Sequence, residues 1–89
     1  MNSAYKVRFS KESEKNLRRL DKPTITRIFR SIDEIIETTR NHPNVKKMKG
    51  YEGDVFRLRV GDFRILYEII ENQVLIFIFK VGPRGDIYK

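Results

Sequence analysis

The chain contains no cysteine, which excludes a disulfide framework and any thiolate metal site and fits a reducing compartment. It has one histidine, His42, beside Pro43, where ending a helix is the expected role. No His/Asp/Glu spacing reads as a metal site. Long apolar runs are missing as well. No segment approaches the ~20 apolar residues that cross a bilayer, and Met1 to Phe9 is polar and alternating rather than a signal-peptide core. No repeat, low-complexity tract or Pro/Gly/Ser linker divides the chain. Ser3, Ser10, Ser13 and Ser31 have no positioned base, and no glycine-rich phosphate loop is present. The expectation is one cytoplasmic domain over residues 1–89, with no metal, no cofactor and no membrane partner.

What is present is positive charge. Nineteen Lys and Arg against twelve Asp and Glu give a net charge of +7, a long-range attraction for nucleic acid and for acidic proteins. With 39% hydrophobic residues the chain can build a modest core, and a domain of 89 residues buries a smaller share of its surface than a larger one.

Tyr5-Lys6-Val7-Arg8-Phe9 alternates apolar and polar, the pattern of a short strand. Ser10 is placed to cap a polar helix over about Lys11 to Leu20, with Leu17 and Leu20 inward. Asp21-Lys22-Pro23 breaks the chain and suits the first turn of a second helix. Ile25, Ile28, Phe29, Ile32, Ile35 and Ile36 then form one apolar stripe, ended by His42-Pro43. Residues 44–53 (NVKKMKGYEG) read as a basic loop. Val55 to Val60 and Phe63 to Ile70 flank Gly61-Asp62, a pair suited to a tight hairpin, and a turn near Asn72 leads to a last strand, Val74 to Val81. The order β-α-α-β-β-β implies an α+β fold: a mostly antiparallel four-stranded sheet with two N-terminal helices on one face.

The hairpin sets a register. Val60 faces Phe63, Arg59 faces Arg64, Leu58 faces Ile65 and Arg57 faces Leu66. Phe56, Leu58, Val60, Phe63, Ile65 and Tyr67 then share the core face, and Arg57, Arg59 and Arg64 share the other. Strand arginines are usually solvated surface residues. Two of them directly opposed repel, however, and a chain that accepts this is a candidate for holding an anion between them. Leu75, Phe77 and Phe79 fall on the arginine side beside Leu66, making that face part basic and part apolar. Such a face suits RNA, whose bases stack on rings while arginines hold phosphates, or a protein partner with acidic and apolar groups. The tail VGPRGDIYK turns sharply at its glycines and proline, which could return Arg84 and Tyr88 over the sheet edge.

The run RLRVGDFRILYEI (Arg57 to Ile69), the VLIFIFKVG strand after it and the Arg…Tyr tail resemble the RelE/ParE toxin superfamily. The upstream strand, both helices and the KKMKG loop match too, so the likeness covers nearly the whole chain. A RelE-type resemblance implies a type II toxin that enters the ribosomal A site and cuts translated mRNA. It implies attack of a ribose 2′-hydroxyl on the neighbouring phosphate, giving a cyclic phosphate and a free 5′-hydroxyl. It implies Arg57, Arg64, Arg84 and Tyr88 as catalytic residues, with Lys46, Lys47, Lys49 and Arg59 binding RNA. The implied partners are the ribosome, mRNA and a RelB-like antitoxin, the last lying on Leu66, Leu75, Phe77 and Phe79 or on the outer helix faces. A second sheet lysine of some relatives falls at Val55, and the histidine of other branches is lacking. Arginine stays protonated and is a poor base, so the proton acceptor is left open among Tyr88, a loop lysine and a ribosomal group. The same superfamily contains ParE-like gyrase inhibitors without nuclease activity, and a non-catalytic nucleic-acid-binding module is a third reading.

Overall fold

The computed structural model describes residues 5–83. The elements are β1 (Lys6–Phe9), α1 (Lys11–Arg18), α2 (Lys22–Thr38), β2 (Val45–Lys47), β3 (Val55–Val60), β4 (Phe63–Ile70), a 3-10 turn (Glu71–Gln73) and β5 (Leu75–Pro83). The sheet order is β1-β5-β4-β3-β2, antiparallel throughout except for the parallel β1–β5 pair.

The expected hairpin register is observed pair for pair, with Arg59 opposite Arg64. Gly61 has φ 58, a left-handed conformation at the first loop position that glycine adopts without a Cβ clash. Between the two helices and one sheet face lies a core that includes Ile28, Ile32, Ile35, Leu58, Ile65, Tyr67, Ile76 and Ile78. Burying each such side chain contributes about 1.5–3 kcal/mol.

Three details depart from the sequence reading. The sheet has five strands among the described residues, not four, because Val45–Lys47 of the supposed basic loop pairs with β3. A three-residue strand is too short to show a period, and backbone pairing creates it. α2 stops at Thr38, with Thr39 at φ 52, before His42-Pro43 is reached. His42 still serves that end: its Nε2 donates to Glu34 at 2.7 Å while Nδ1 accepts the Asn44 N–H at 3.0 Å. Phe29, counted in the apolar stripe, is 41% exposed at its margin, against Phe9.

β5 carries an irregularity. Leu66 pairs with Lys80 and Tyr67 with Ile78, so Phe79 has no cross-strand partner, as in a β-bulge. β1 covers β5 only to Ile78, and polar groups along α1, from its cap Ser10 to Asn16, cover the strand beyond that point. The Ser10 hydroxyl donates to the Phe79 carbonyl, buried Ser13 donates to the Ile78 carbonyl, and Asn16 accepts from the Val81 N–H, each at 3.0 Å. This explains why α1 is so polar: it satisfies a strand edge as well as covering a core.

Candidate nucleic-acid interface

The strand pairings build the face of the sheet turned away from the helices. One cross-strand row runs Lys46, Arg57, Leu66, Lys80; the next toward the hairpin runs Arg59, Arg64, Gly82. On the other side of the first row lie Val55, Glu68, Phe77 and Arg8, and beyond them Ile70, Leu75 and Lys6. Lys6, Arg8, Lys46, Arg57, Arg59 and Arg64 therefore share one face. Glu68 is the carboxylate among the described strand residues there. Lys80 turns to the rim, its Nζ 3.9 Å from Glu12 of α1.

Arg64 is the unusual member. It is 5% exposed, and its Nη1 donates to the carbonyls of Phe63 at 3.2 Å and Gly61 at 3.4 Å. Its Nε is buried without a hydrogen-bond partner. Among the described residues no carboxylate lies within ion-pair distance of Arg64 or of the exposed Arg59 opposite it. A buried cation normally has an acidic partner, and an orphaned buried donor costs about 1–3 kcal/mol. The hairpin carbonyls hold the guanidinium in place without neutralising it. Gly82, the next residue in that row, adds no side chain, and a Cβ there would meet nothing within 4 Å. The arrangement can hold a phosphate by the positioned charge of Arg64 and the exposed charge of Arg59 opposite it.

Of the remaining expected site residues, Arg57 is half-buried between Lys46 and Leu66 in register. Lys46 is exposed on the arginine face, and Lys49 is exposed beyond β2. Lys47 stands on the opposite face, its Nζ 3.0 Å from Asp54 and 5.2 Å from the centre of the Phe56 ring. Leu66 and Leu75 are buried at 1% and 8% exposure, while Phe77 and Phe79 are half-buried. Arg84 and Tyr88 lie outside the described residues. Tyr67 belongs to the core: its hydroxyl donates to the Thr39 carbonyl at 3.0 Å, and burial pushes its pKa well above the usual phenol value. Sequence reasoning missed Lys6, Arg8, Tyr51 and Glu68. The alternation of residues 5–9 already put Lys6 and Arg8 outward, but only the β1–β5 pairing brings them to this face.

A family model described as the ParE toxin of type II toxin–antitoxin systems, parDE, matches residues 7–88, and the chain belongs to that family. It is 28% identical over 89 residues to the mRNA interferase toxin RelE of Escherichia coli K12, covering 96% of this chain and 90% of that protein. It is 31% identical over 67 residues to the putative toxin RelE1 of Methanocaldococcus jannaschii, covering 68% and 73% of the two chains. Among solved structures, the archaeal RelE–RelB complex from Pyrococcus horikoshii matches with a TM-score of 0.81 at 29% identity over 94% of this chain and 99% of that one. The intact E. coli RelBE toxin–antitoxin complex matches at 0.78, with 26% identity over 92% and 99%. The protein is a type II toxin with the RelE fold.

Proposed function

We propose that the chain is a ribosome-dependent mRNA endonuclease acting in the cytoplasm, and that the arginine face holds the phosphodiester it cuts. One observation carries this reading: Arg64, buried and with no carboxylate within ion-pair distance among the described residues, opposes Arg59 on the same face as Arg57 and Lys46. Its similarity to the mRNA interferase toxin RelE supports the same substrate.

The reaction is attack of a ribose 2′-oxygen on the adjacent phosphorus with loss of the 5′-oxygen, leaving a 2′,3′-cyclic phosphate and a free 5′-hydroxyl. Negative charge builds on the non-bridging oxygens. Guanidinium groups already held in position stabilise that charge without reorganising, the type of effect worth about 10²–10³ in rate per donor. Arg64, fixed by the Phe63 and Gly61 carbonyls, takes this role, with Arg57 beside it and Arg84 of the tail assisting the leaving oxygen. Lys46 and Arg59 bind flanking phosphates, and Lys49 extends the contact. Lys47, tied to Asp54 on the other face, acts at most as a long-range charge. Tyr88 orients the nucleotide, and Tyr88, Lys46, Lys49 or a ribosomal group accepts the 2′-proton. A site with so weak a base depends on the ribosome to set the reacting atoms in line.

A RelB-like antitoxin silences the toxin by covering this face at Phe77 and Phe79, with Leu66 and Leu75 behind them; several matching structures are RelE–RelB complexes. Purified toxin added to a reconstituted translation reaction is expected to cut mRNA within translated codons, to leave cyclic-phosphate ends and to spare the same mRNA without ribosomes. The family model's description, parDE, favours a second reading as a gyrase inhibitor. Uncut mRNA together with inhibition of gyrase supercoiling would establish that reading instead.

A further inference from the structure

Beside the arginines the same face carries an aromatic group that phosphate binding leaves unexplained. Phe77 and Phe79 stack with centroids 6.4 Å apart and planes at 27°, and the ring of Tyr51 meets Phe79 at 6.1 Å. Tyr51 is 45% exposed, on the segment between β2 and β3, and the two phenylalanines are half-buried. Glu68 is the direct cross-strand neighbour of Phe77. Its carboxylate is packed so closely under Gly53 that a Cβ at that position would collide with it. Among the described residues Glu68 has neither an ion pair nor a hydrogen bond through its carboxylate. Arg8 flanks Phe77 on the far side, with Lys6 next along β1.

Glu68 is poorly placed to take a proton at the cut. It lies four residues from Arg64 along β4, about 13 Å at the rise of a strand, and it leans toward Gly53. Rings on a sheet face with cations on either side form a surface that single-stranded RNA uses, bases stacking on the rings and phosphates on the cations. The cations on both sides argue for a polyanion as the occupant.

Building on the endonuclease reading, we propose that Tyr51, Phe77 and Phe79 form a stacking platform for a nucleobase flanking the cut, with Glu68 selecting guanine and Arg8 and Lys6 holding the next phosphate. A carboxylate accepts two parallel N–H bonds from the N1 and N2 groups of guanine; uracil offers one N–H flanked by carbonyls that repel it. The platform thereby gives the toxin a base preference at one position next to the cleaved bond.

The test measures binding of 2′-O-methylated RNA tetranucleotides, which cannot be cut, by the full-length toxin, and in parallel maps cleavage of unmodified mRNA on translating ribosomes. Wild type is expected to bind guanine-containing tetramers about tenfold more tightly than uracil-containing ones, and Glu68→Gln to erase that ratio. Tyr51→Ala, at an exposed position that leaves the fold intact, and Phe79→Leu are each expected to weaken both tetramers by about tenfold. In the cleavage map, guanine should recur at one offset from the cut in wild type and lose its enrichment in Glu68→Gln. Equal affinity for both tetramers, no binding, or unchanged affinity and ratio in these variants overturns the platform. So does Phe79→Leu weakening antitoxin binding alone, which makes the rings a protein dock only. If wild type binds with the guanine preference yet leaves ribosomal mRNA intact, the platform stands and the endonuclease reading fails.

Discussion

Arg40 and Arg64 are the same side chain set in opposite surroundings. Arg40, just past α2, hydrogen-bonds Glu71 at 2.9 Å, lies 3.6 Å from Asp54 and sits 5.5 Å from the centre of the Phe56 ring. Nearby, Lys47 also binds Asp54, and Tyr5 donates to Glu71. Each cation at that corner has acidic company, and the network ties Tyr5 before β1, the end of α2, β2, the residue before β3 and the 3-10 turn together. Arg64 is more deeply buried and, among the described residues, has hairpin carbonyls and no carboxylate for company. Charge that is neutralised in the free protein serves the fold; under the proposed function, charge left unneutralised is what the phosphate meets. Among the described residues, the placement of carboxylates distinguishes the two regions more sharply than the count of cations does.

The comparison can be broken most forcefully at Arg64. Arg64→Ala is expected to lower the rate of ribosomal mRNA cleavage by about hundredfold or more, with a circular-dichroism spectrum and Tm close to wild type. A large drop in Tm would instead make Arg64 a folding residue. Next in size is the contrast on the helix side, where Tyr67→Phe removes a buried donor and strands the Thr39 carbonyl. Denaturant unfolding should show a loss of about 1–3 kcal/mol, with cleavage per folded molecule unchanged. Arg59, exposed and opposite Arg64, should give a graded effect: Arg59→Ala weakens RNA binding severalfold and lowers the slope of log affinity against log salt by about 0.7.

The smallest effect belongs to the neutralised corner. Arg40→Ala should lower Tm by no more than about 5 °C and leave cleavage untouched. It should also flatten the acid side of the stability profile. The hydrogen bonds from Arg40 and Tyr5 hold the Glu71 carboxyl below the usual carboxylate range, and the Lys47 ammonium does the same for Asp54. Groups depressed in the folded state stabilise it above their unfolded pKa, near 4, and that stability is lost as pH falls through the folded value. Thermal melts between neutral pH and about 3 should therefore fall less steeply in Arg40→Ala than in wild type.

Much of this was legible in the residues because strand period and hairpin chemistry are local. Gly61-Asp62 between alternating strands determined which residues pair, and the Arg59–Arg64 opposition came from that alone. Pairings made at a distance were not legible. β1 joins β5 in parallel across both helices, so nothing near Lys6 or Arg8 announces that they join the arginine face. β2 exists because β3 offers it backbone partners, and that pairing alone separates Lys46 from Lys47. Phe79 keeps to the arginine side as expected, but the irregularity that leaves it without a cross-strand partner has no signature in the residues around it. The burial of Leu66 and Leu75 was also hidden, since alternation reports which face a residue occupies and says nothing about what covers it.

The most direct test of the central claim compares cut positions by primer extension on one mRNA in a reconstituted translation reaction with wild type, Arg64→Ala and Arg40→Ala toxins. Neutralised and unneutralised arginines should separate cleanly: cuts inside translated codons with wild type and Arg40→Ala, and almost none with Arg64→Ala. Equal cutting by all three proteins, or an intact message with wild type, would contradict the claim that Arg64, held by hairpin carbonyls with no carboxylate beside it among the described residues, cradles the scissile phosphate.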